Sequence, residues 1–442
     1  MAKYLSENAF TRYKLRVELT LVTVLHRREL CDQSVVDDVA TACDLITTQD
    51  IYDEEGRIKH DIRAMVNEIQ KRVEEVSRPY VHLGATSFDI VDTANAARYR
   101  DAIRFVLLPE LLKLEKVLID LANKEAATIQ IGRTHGQHAV PITFGHTIAE
   151  YVNRLGLSVQ NIKQRADELP GKFSGAVGGY NSSSLFFDDP IAFEREVLSE
   201  LGLKPLKHST QIVEPEPLLR LISEVVIAAG IIANAADDMR HLQRTEIGEV
   251  GEPFEAEQVG SSTMPQKQNP INFENVKSIW KVVMPRIITM YMDQICEHQR
   301  DLTNSASGRT VGEVIAYVGE MAKRMARVMG KLQVNLTNLS ANLIQSEDSI
   351  LAEPLYLLLA AFGHPDAHEA VRKMTIISRT QDKTLHEVFY ADENLASYRA
   401  RMTDEQQRIL SDPRAYTGQC ETHTREITAF WQSNLDDLKL AV

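Results

Sequence analysis

Four apolar seams, each advancing by alternate steps of four and three residues, constrain this chain more than any other feature. Leu218, Ile222, Val225, Ala229, Ile232, Ala236 and Met239 form one, and Leu107, Leu111, Leu114, Leu118 and Leu121 a second. Val276, Trp280, Val283, Ile287 and Met290 form a third, and Val314, Val318, Met321, Met325, Val328 and Leu332 a fourth. Only a helix brings residues three and four apart onto one face, so each seam is the stripe of a long helix that must be buried against neighbours. Four such helices, with a fifth expected after Pro141, make a long bundle. Pro285 lies inside the third seam and should kink that helix, because it has no N–H to give. No sustained strand-like alternation, internal repeat or low-complexity tract appears, so the expected fold is all-α. The terminal thirds contain shorter helical stretches broken by loops such as "HPDAHE" (364–369). Those breaks divide the chain into an N-terminal helical domain (1–96), a central long-helix bundle (97–346) and a C-terminal helical domain (347–442). The seams exceed what short helices in one monomer need, which points to a bundle shared between subunits.

Composition excludes several function classes. The 442 residues carry a formal net charge of −13, which argues against nucleic acid as the main partner, since phosphate binding needs a basic face. A small anionic substrate stays open, because a local cluster of donors can bind an anion against the global field. The longest apolar run, "VVIAAGIIANAA" (225–236), falls short of the ~18 residues of a membrane span, so no membrane partner is expected. The N-terminal "MAKYLSENAFTRYKL" has no apolar signal core. Cys31, Cys43, Cys296 and Cys420 are scattered and suit reduced thiols better than a disulfide framework or a zinc site. Together these features predict a cytoplasmic protein.

Four segments look unlike packing. "IKHDIRAMV" (58–66) and "YVHLGATSFDIVDT" (80–93) bring His60, Asp61 and His82 before a capping-box pattern, Thr86 to Asp89. That pattern places Thr86 and Ser87 at a helix start, whose free N–H groups suit a carboxylate. Alone, the segment is equally a capped helix with two surface histidines. In "GRTHGQHAVPITFG" (132–145), Gly132, Gly136 and Pro141 bracket an expected loop with His135 beside Thr134. Such a histidine titrates near neutrality, although an ordinary loop histidine has the same pattern. His138 and His146 lie close by, but no carboxylate spacing supports a metal. "STQIVEPEP" (209–217) offers Gln211 as an amide donor in what is otherwise a polar interhelical loop. In "GSSTMPQKQNP" (260–270), Asn269 and Pro270 fit an N-cap and first helical residue. Glu274 then lies one turn into the helix. Upstream, "GEVGEPFEAEQVG" (248–260) is rich in glycine and acid. Ser261, Ser262 and Lys267 thus ride on a loop pinned at its far end, suited to closing over a substrate.

The motif "GSSTMPQKQNPINFE" resembles the signature of the fumarase/aspartase superfamily, with its Ser-Ser-x-Met-Pro-x-Lys-x-Asn core. "GRTHGQ" and "HLGATSFD" resemble its other two signature regions, in the expected order. Within the superfamily, "KHD" (59–61), "STQI" (209–212) and "QRDLTNSASGR" (299–309) are most similar to adenylosuccinate lyases. The resemblance runs from about residue 10 to residue 355. It implies a three-domain all-α fold, a homotetramer whose central helices form one core, and active sites built from three subunits. It implies β-elimination of fumarate from adenylosuccinate, giving AMP, and from the succinylated aminoimidazole carboxamide ribotide, with no metal and no cofactor.

The residues suit that chemistry. The proton removed lies beside a carboxylate, and its loss creates a dianionic aci-carboxylate that donors and a cation must already face. The resemblance makes Ser261 the base, His135 the general acid, Glu274 its orienting partner and His60 an assisting group. Lys267 and Asn269 stabilise the developing charge. Asp61, His82, Thr86, Ser87, Thr134, Gln211, Arg300, Ser305 and Arg309 match substrate-binding positions. A serine base needs loop closure and the Lys267 charge to lower the cost of ionising it. The chain departs from the branch at three places. Lys3-Tyr4 stands where an Arg-Tyr pair is usual, Gln266 and Gln268 flank Lys267, and "IVEPEP" is acidic. These leave open another N-substituted aspartate such as argininosuccinate. A catalytically silent structural relative is the remaining alternative, against which the presence of Ser261, His135, Lys267 and Glu274 argues.

Overall fold

The structure, a computed structural model, describes residues 1–254, 257 and 262–440. Its centre is a bundle of the helices Leu108–Lys124, Phe144–Asp167, Glu216–Leu242, Ile271–Val283 with Arg286–Met292, and Val311–Met329. The seam residues face inward: Leu111, Leu114, Leu118, Ile222, Val225, Ile232, Val276, Val314, Val318 and Met321 are all buried. The all-α expectation holds, with short two-stranded pairs as the only sheets among the described residues. Pro285 acts as expected, separating the Ile271–Val283 and Arg286–Met292 helices. Another proline has a milder effect. Ser87–Ala102 continues into Leu108–Lys124 through a five-residue π segment, Ile103–Leu107. Pro109 cannot donate to the turn before it, and the wider ladder absorbs the missing bond.

One helix, Glu216–Leu242, is by length and composition apolar enough to cross a membrane, but most of it is buried inside the bundle. It is also the ruler of the molecule. At 27 residues and 1.5 Å per residue it is ~40 Å long. The Ile271–Met292 stretch runs antiparallel to it. Gln243 donates to the Gln268 carbonyl at one end, Lys277 pairs with Asp237 part-way along, and Gln294 donates to Glu216 at the other end.

The apolar core is continuous from Leu15 to Leu332. A separate core, from Leu351 to Leu410, belongs to the later helices. The last helix, Cys420–Leu440, turns back onto the bundle, where Trp431 and Leu435 join the main core. Trp431 donates to Asn153 at 3.0 Å. Gly156 lets the indole lie flat there, since a Cβ would come within 2.5 Å of the ring.

The segment expected as a loop around His135 is a β-hairpin. Ile129–Thr134 pairs antiparallel with Gln137–Thr143, and Thr134 faces Gln137 across a two-residue turn. His135 and Gly136 both have positive φ, 54° and 74°, the signature of a type I′ turn, whose twist matches that of the strands it joins. Gly132 sits at the irregular point of the ladder, where a Cβ would meet the Val140 carbonyl at 2.6 Å. The hairpin is fixed from below by Glu249, which is fully buried. Its carboxylate accepts from Gln130 (2.7 Å), from both terminal nitrogens of Arg133 (2.6 and 3.1 Å) and from Asn342 (2.8 Å).

Two predictions follow from these buried carboxyls. Removing the Glu249 charge strands the Arg133 guanidinium, so Glu249→Gln should cost roughly 3–5 kcal/mol in denaturant unfolding. Glu115, in the middle of Leu108–Lys124, is buried with neither oxygen hydrogen-bonded. Burial pushes its carboxyl well above the ordinary range. Below about pH 4 the group is protonated in both folded and unfolded chains. As pH rises the unfolded chain ionises first, so the folded state loses stability. Glu115→Leu should therefore stabilise by about 1–3 kcal/mol at neutral pH. Thermal melting across pH checks the sign: the gain should vanish in acid.

Candidate active site

The Ser87–Ala102 helix begins with Thr86 as N-cap, and the Asp89 carboxylate accepts the Thr86 N–H at 2.8 Å, as the sequence pattern predicts. Asp89 does more than cap. It is fully buried, paired with the equally buried Lys172, and within 3.4 Å of the Gly175 N–H. Burial pushes its carboxyl up and Lys172 pulls it back. The helix start is thereby clamped from behind, leaving Thr86 and Ser87 half-exposed at its mouth.

Around this mouth the structure gathers several of the expected residues. His82 sits four residues upstream with φ 63°. Its Nδ1 lies 2.6 Å from Glu18. Arg300 stacks on Phe88, the residue after Ser87, with its guanidinium carbon 4.2 Å from the ring centre. The Gln211 N–H donates to the Gln299 carbonyl at 3.3 Å, which ties the 209–212 loop to Arg300. Asp92, one turn into the helix, accepts the Val213 N–H at 2.9 Å and anchors the same loop. Burial pushes the Asp92 carboxyl up to about 6.

His60 caps the Asp61–Arg72 helix, its Nδ1 accepting the Arg63 N–H at 3.2 Å. His60 and Asp61 are both about half exposed. Ser305 and Arg309 are exposed around the short Ser307–Thr310 turn. At the N-terminus the Lys3 ammonium lies 5.5 Å from the Tyr4 ring centre, and Tyr4 stacks with Phe105. The Arg12-Tyr13 pair further along is committed to structure. Arg12 donates to the Cys43 and Ile46 carbonyls, and Tyr13 to Asp101.

The remaining residues lie elsewhere. Thr134 and His135 are exposed at the hairpin tip. Lys267 is exposed, with its N–H bonded to the Met264 carbonyl at 3.0 Å. The helix after it starts one residue later than expected. Pro270 is its N-cap, with a non-helical ψ of 57°, and Asn269 lies outside it. The first-turn N–H groups find a different acceptor. Glu252, itself buried, accepts from Asn272 (3.2 Å) and Phe273 (2.7 Å). Glu274 is exposed in that first turn. Ser261 lies outside the described residues, and Ser262 is exposed.

A single chain therefore divides the candidate residues between two ends of the bundle. Gln211 and Arg300 stand at the Glu216 end of the ~40 Å helix, with His82, Thr86 and Ser87. Lys267 and Glu274 stand at its Leu242 end, where Glu249 also holds the base of the hairpin. Sequence reasoning missed the groups that hold these residues, Glu18, Asp92, Lys172, Glu249 and Glu252. Each is a charged side chain in or beside an apolar stretch. A carboxylate flanked by core residues, such as Glu18 in "RVELTLV", was the available signal.

Comparison with known proteins gives the family. A lyase family model matches residues 16–285, and a model described as adenylosuccinate lyase C-terminal matches 296–408. An adenylosuccinate lyase of Pyrococcus abyssi is 38% identical over 348 residues, covering 78% of this chain and 76% of that protein. One of Archaeoglobus fulgidus is 32% identical over 422 residues, 95% of this chain and 93% of its own. An N-acetyl-S-(2-succino)cysteine lyase of Enterococcus italicus is 29% identical, covering 85% of this chain and 81% of that protein. Among solved structures, a 3-carboxy-cis,cis-muconate lactonizing enzyme from Pseudomonas putida superposes with a TM-score of 0.85 at 24% identity, covering 98% of this chain and 96% of its own. A fumarate lyase from Mesorhizobium sp. BNC1 gives 0.84 at 22%, covering 97% and 96%. These two speak to the fold alone. On its signature segments, its helical bundle and these relatives, the chain belongs to the fumarase/aspartase superfamily of lyases, on its adenylosuccinate lyase-like branch.

Proposed function

We propose that the protein is a carbon–nitrogen lyase that releases fumarate from adenylosuccinate, leaving AMP, and from the related succinylated ribotide. The observation that carries this reading is the placement of the donor groups. One end of the bundle offers a helix start at Thr86–Ser87 with His82, Gln211 and Arg300 around it. The other offers His135 on a rigid turn, with Lys267, Asn269 and Glu274. In the reaction, Ser261 takes a proton from the carbon next to the substrate carboxylate. The electron pair forms the fumarate double bond as the carbon–nitrogen bond breaks. His135, oriented by Glu274, returns a proton to the leaving nitrogen. Lys267, Asn269 and the helix start carry the extra negative charge on the carboxylate between these events. His60 and Asp61 contact the substrate beside His82, Thr134 lies by the acid, and Ser305 and Arg309 reach the phosphate.

Because the two ends are ~40 Å apart, the site is completed by other copies of the chain in a homotetramer. An apolar stripe supports this. Ile288, Tyr291, Met292 and Ile295 recur at helical spacing and are between 52% and 80% exposed, which is costly for a monomer. The four cysteines stand unpaired, which suits a cytoplasmic enzyme. A second reading rests on Lys3, which lacks the fork that holds a phosphate, and on the relative that cleaves a succinylated cysteine. In it the substrate is a thioether adduct of succinate and the elimination chemistry is unchanged.

Following fumarate in the ultraviolet separates these readings. Adenylosuccinate should be turned over, and argininosuccinate and N-acetyl-S-(2-succino)cysteine should not. Turnover of the thioether alone would transfer the assignment to it. Ser261→Ala should lower kcat by roughly a thousandfold or more while leaving binding intact, and Ser262→Ala should do far less. Sedimentation should give four times the 49.8 kDa chain, and a monomer would overturn the shared site.

A further inference from the structure

The Glu7–Arg27 helix is a core helix with an anomaly. Thr11, Lys14 and Glu18 fall at i, i+3 and i+7, on one face, and all three are buried. Glu18 is the extreme case. It is fully buried, one oxygen lies 2.6 Å from His82 Nδ1, and the other has no hydrogen-bond partner. A buried carboxylate left half-satisfied is costly. His82 adds to that cost, since a non-glycine residue at φ 63° is held there by its surroundings. Its turn is tied by the Ala85 N–H to the His82 carbonyl and by the Ser182 hydroxyl to the Gly84 carbonyl. Packing alone would have been served by an apolar pair.

We propose that Glu18 is a positioning residue for the elimination: its carboxylate fixes the His82 imidazole with Nδ1 protonated and turns Nε2–H toward the substrate carboxylate held at the Thr86–Ser87 helix start. The inference rests on the fumarate-releasing reaction proposed above. An ionised carboxylate only accepts, so the proton between them belongs to Nδ1. Nε2 lies on the far side of the ring from Glu18, on a side chain that keeps 19% of its surface exposed. The charges facing His82 are Glu18 from its own helix, Asp89 from the Ser87–Ala102 helix and Arg63 from the Asp61–Arg72 helix. Burial is the largest single influence and pulls the imidazole down, but the charge and hydrogen bond of Glu18, with the charge of Asp89, make the net shift upward. His82 therefore stays an imidazolium to a higher pH than a free histidine, and below that pH it offers a charged donor to an anion. Without Glu18, only the weaker pull of Asp89 opposes burial, and the charge is lost sooner as pH rises.

The test compares wild type with Glu18→Gln, Glu18→Asp, His82→Gln and the double variant, from pH 6 to pH 9. For adenylosuccinate, Glu18→Gln should leave KM within about twofold at pH 6 and raise it about tenfold at pH 8, with kcat changed less. Glu18→Asp should recover part of the loss. His82→Gln should raise KM at both pH values, and the double variant should be no worse than His82→Gln, since both changes remove one device. A wild-type pH profile in Glu18→Gln, or losses that multiply in the double variant, would overturn the proposal. Calorimetric binding of fumarate over the same pH range needs no turnover. If wild type fails to cleave adenylosuccinate, the functional reading falls, while a pH-dependent loss of fumarate affinity confined to Glu18→Gln still supports the role of Glu18. Melting curves exclude variants that do not fold.

Discussion

Burial of the long apolar seams is the constraint on which the rest of the structure depends. It forces the central helices to lie side by side over their full length, and that fixes where their ends fall. Glu216–Leu242 has candidate site residues at both ends because its loops can project only from the ends of a packed rod. The helix holds those ends ~40 Å apart. Under the function proposed above, that gap is bridged by assembling the chemistry between copies of the chain. The exposed stripe from Ile288 to Ile295 is the complementary consequence, an apolar surface that the same bundle leaves uncovered.

Beneath each group of candidate site residues lies a buried carboxylate. Asp89 with Lys172 holds the Thr86–Ser87 helix start, Glu249 with Arg133 holds the hairpin beneath His135, and Glu252 holds the helix that begins beside Lys267. Glu18 holds His82 in the same way. In each case the acceptor is ionic and enclosed, where misalignment is penalised more heavily than in water. Thr134, His135, Lys267 and Glu274 stay exposed. Rigidity is thus supplied from the protein side.

Much of this was legible in the sequence, for local reasons. The seams located the bundle, Pro285 located its break, and the Thr86–Asp89 spacing located a helix start. The hairpin was not read, although a two-residue His-Gly turn lies between two short runs. Its strands are brief, and Gly132 and Pro141 interrupt their alternation. Asn269 was expected as the cap, and the structure places Pro270 there with Glu252 as acceptor. That acceptor stands 20 residues before the Asn272 N–H it serves, outside the few positions that a capping pattern spans. The buried partners Glu18, Lys172 and Glu249 escaped for the same reason.

The sequence by itself determined the all-α architecture, the family and the residue types of the reaction, because helical periodicity and signature motifs are written over a few neighbouring residues. Only the tertiary structure decided that His135 sits on a type I′ turn, that Asp89 and Glu249 are enclosed ion-pair partners, and that the candidate residues divide between two ends of one bundle. The two ion pairs join residues 83 and 116 positions apart, and the distance between the bundle's ends, like those contacts, is set by how the helices pack.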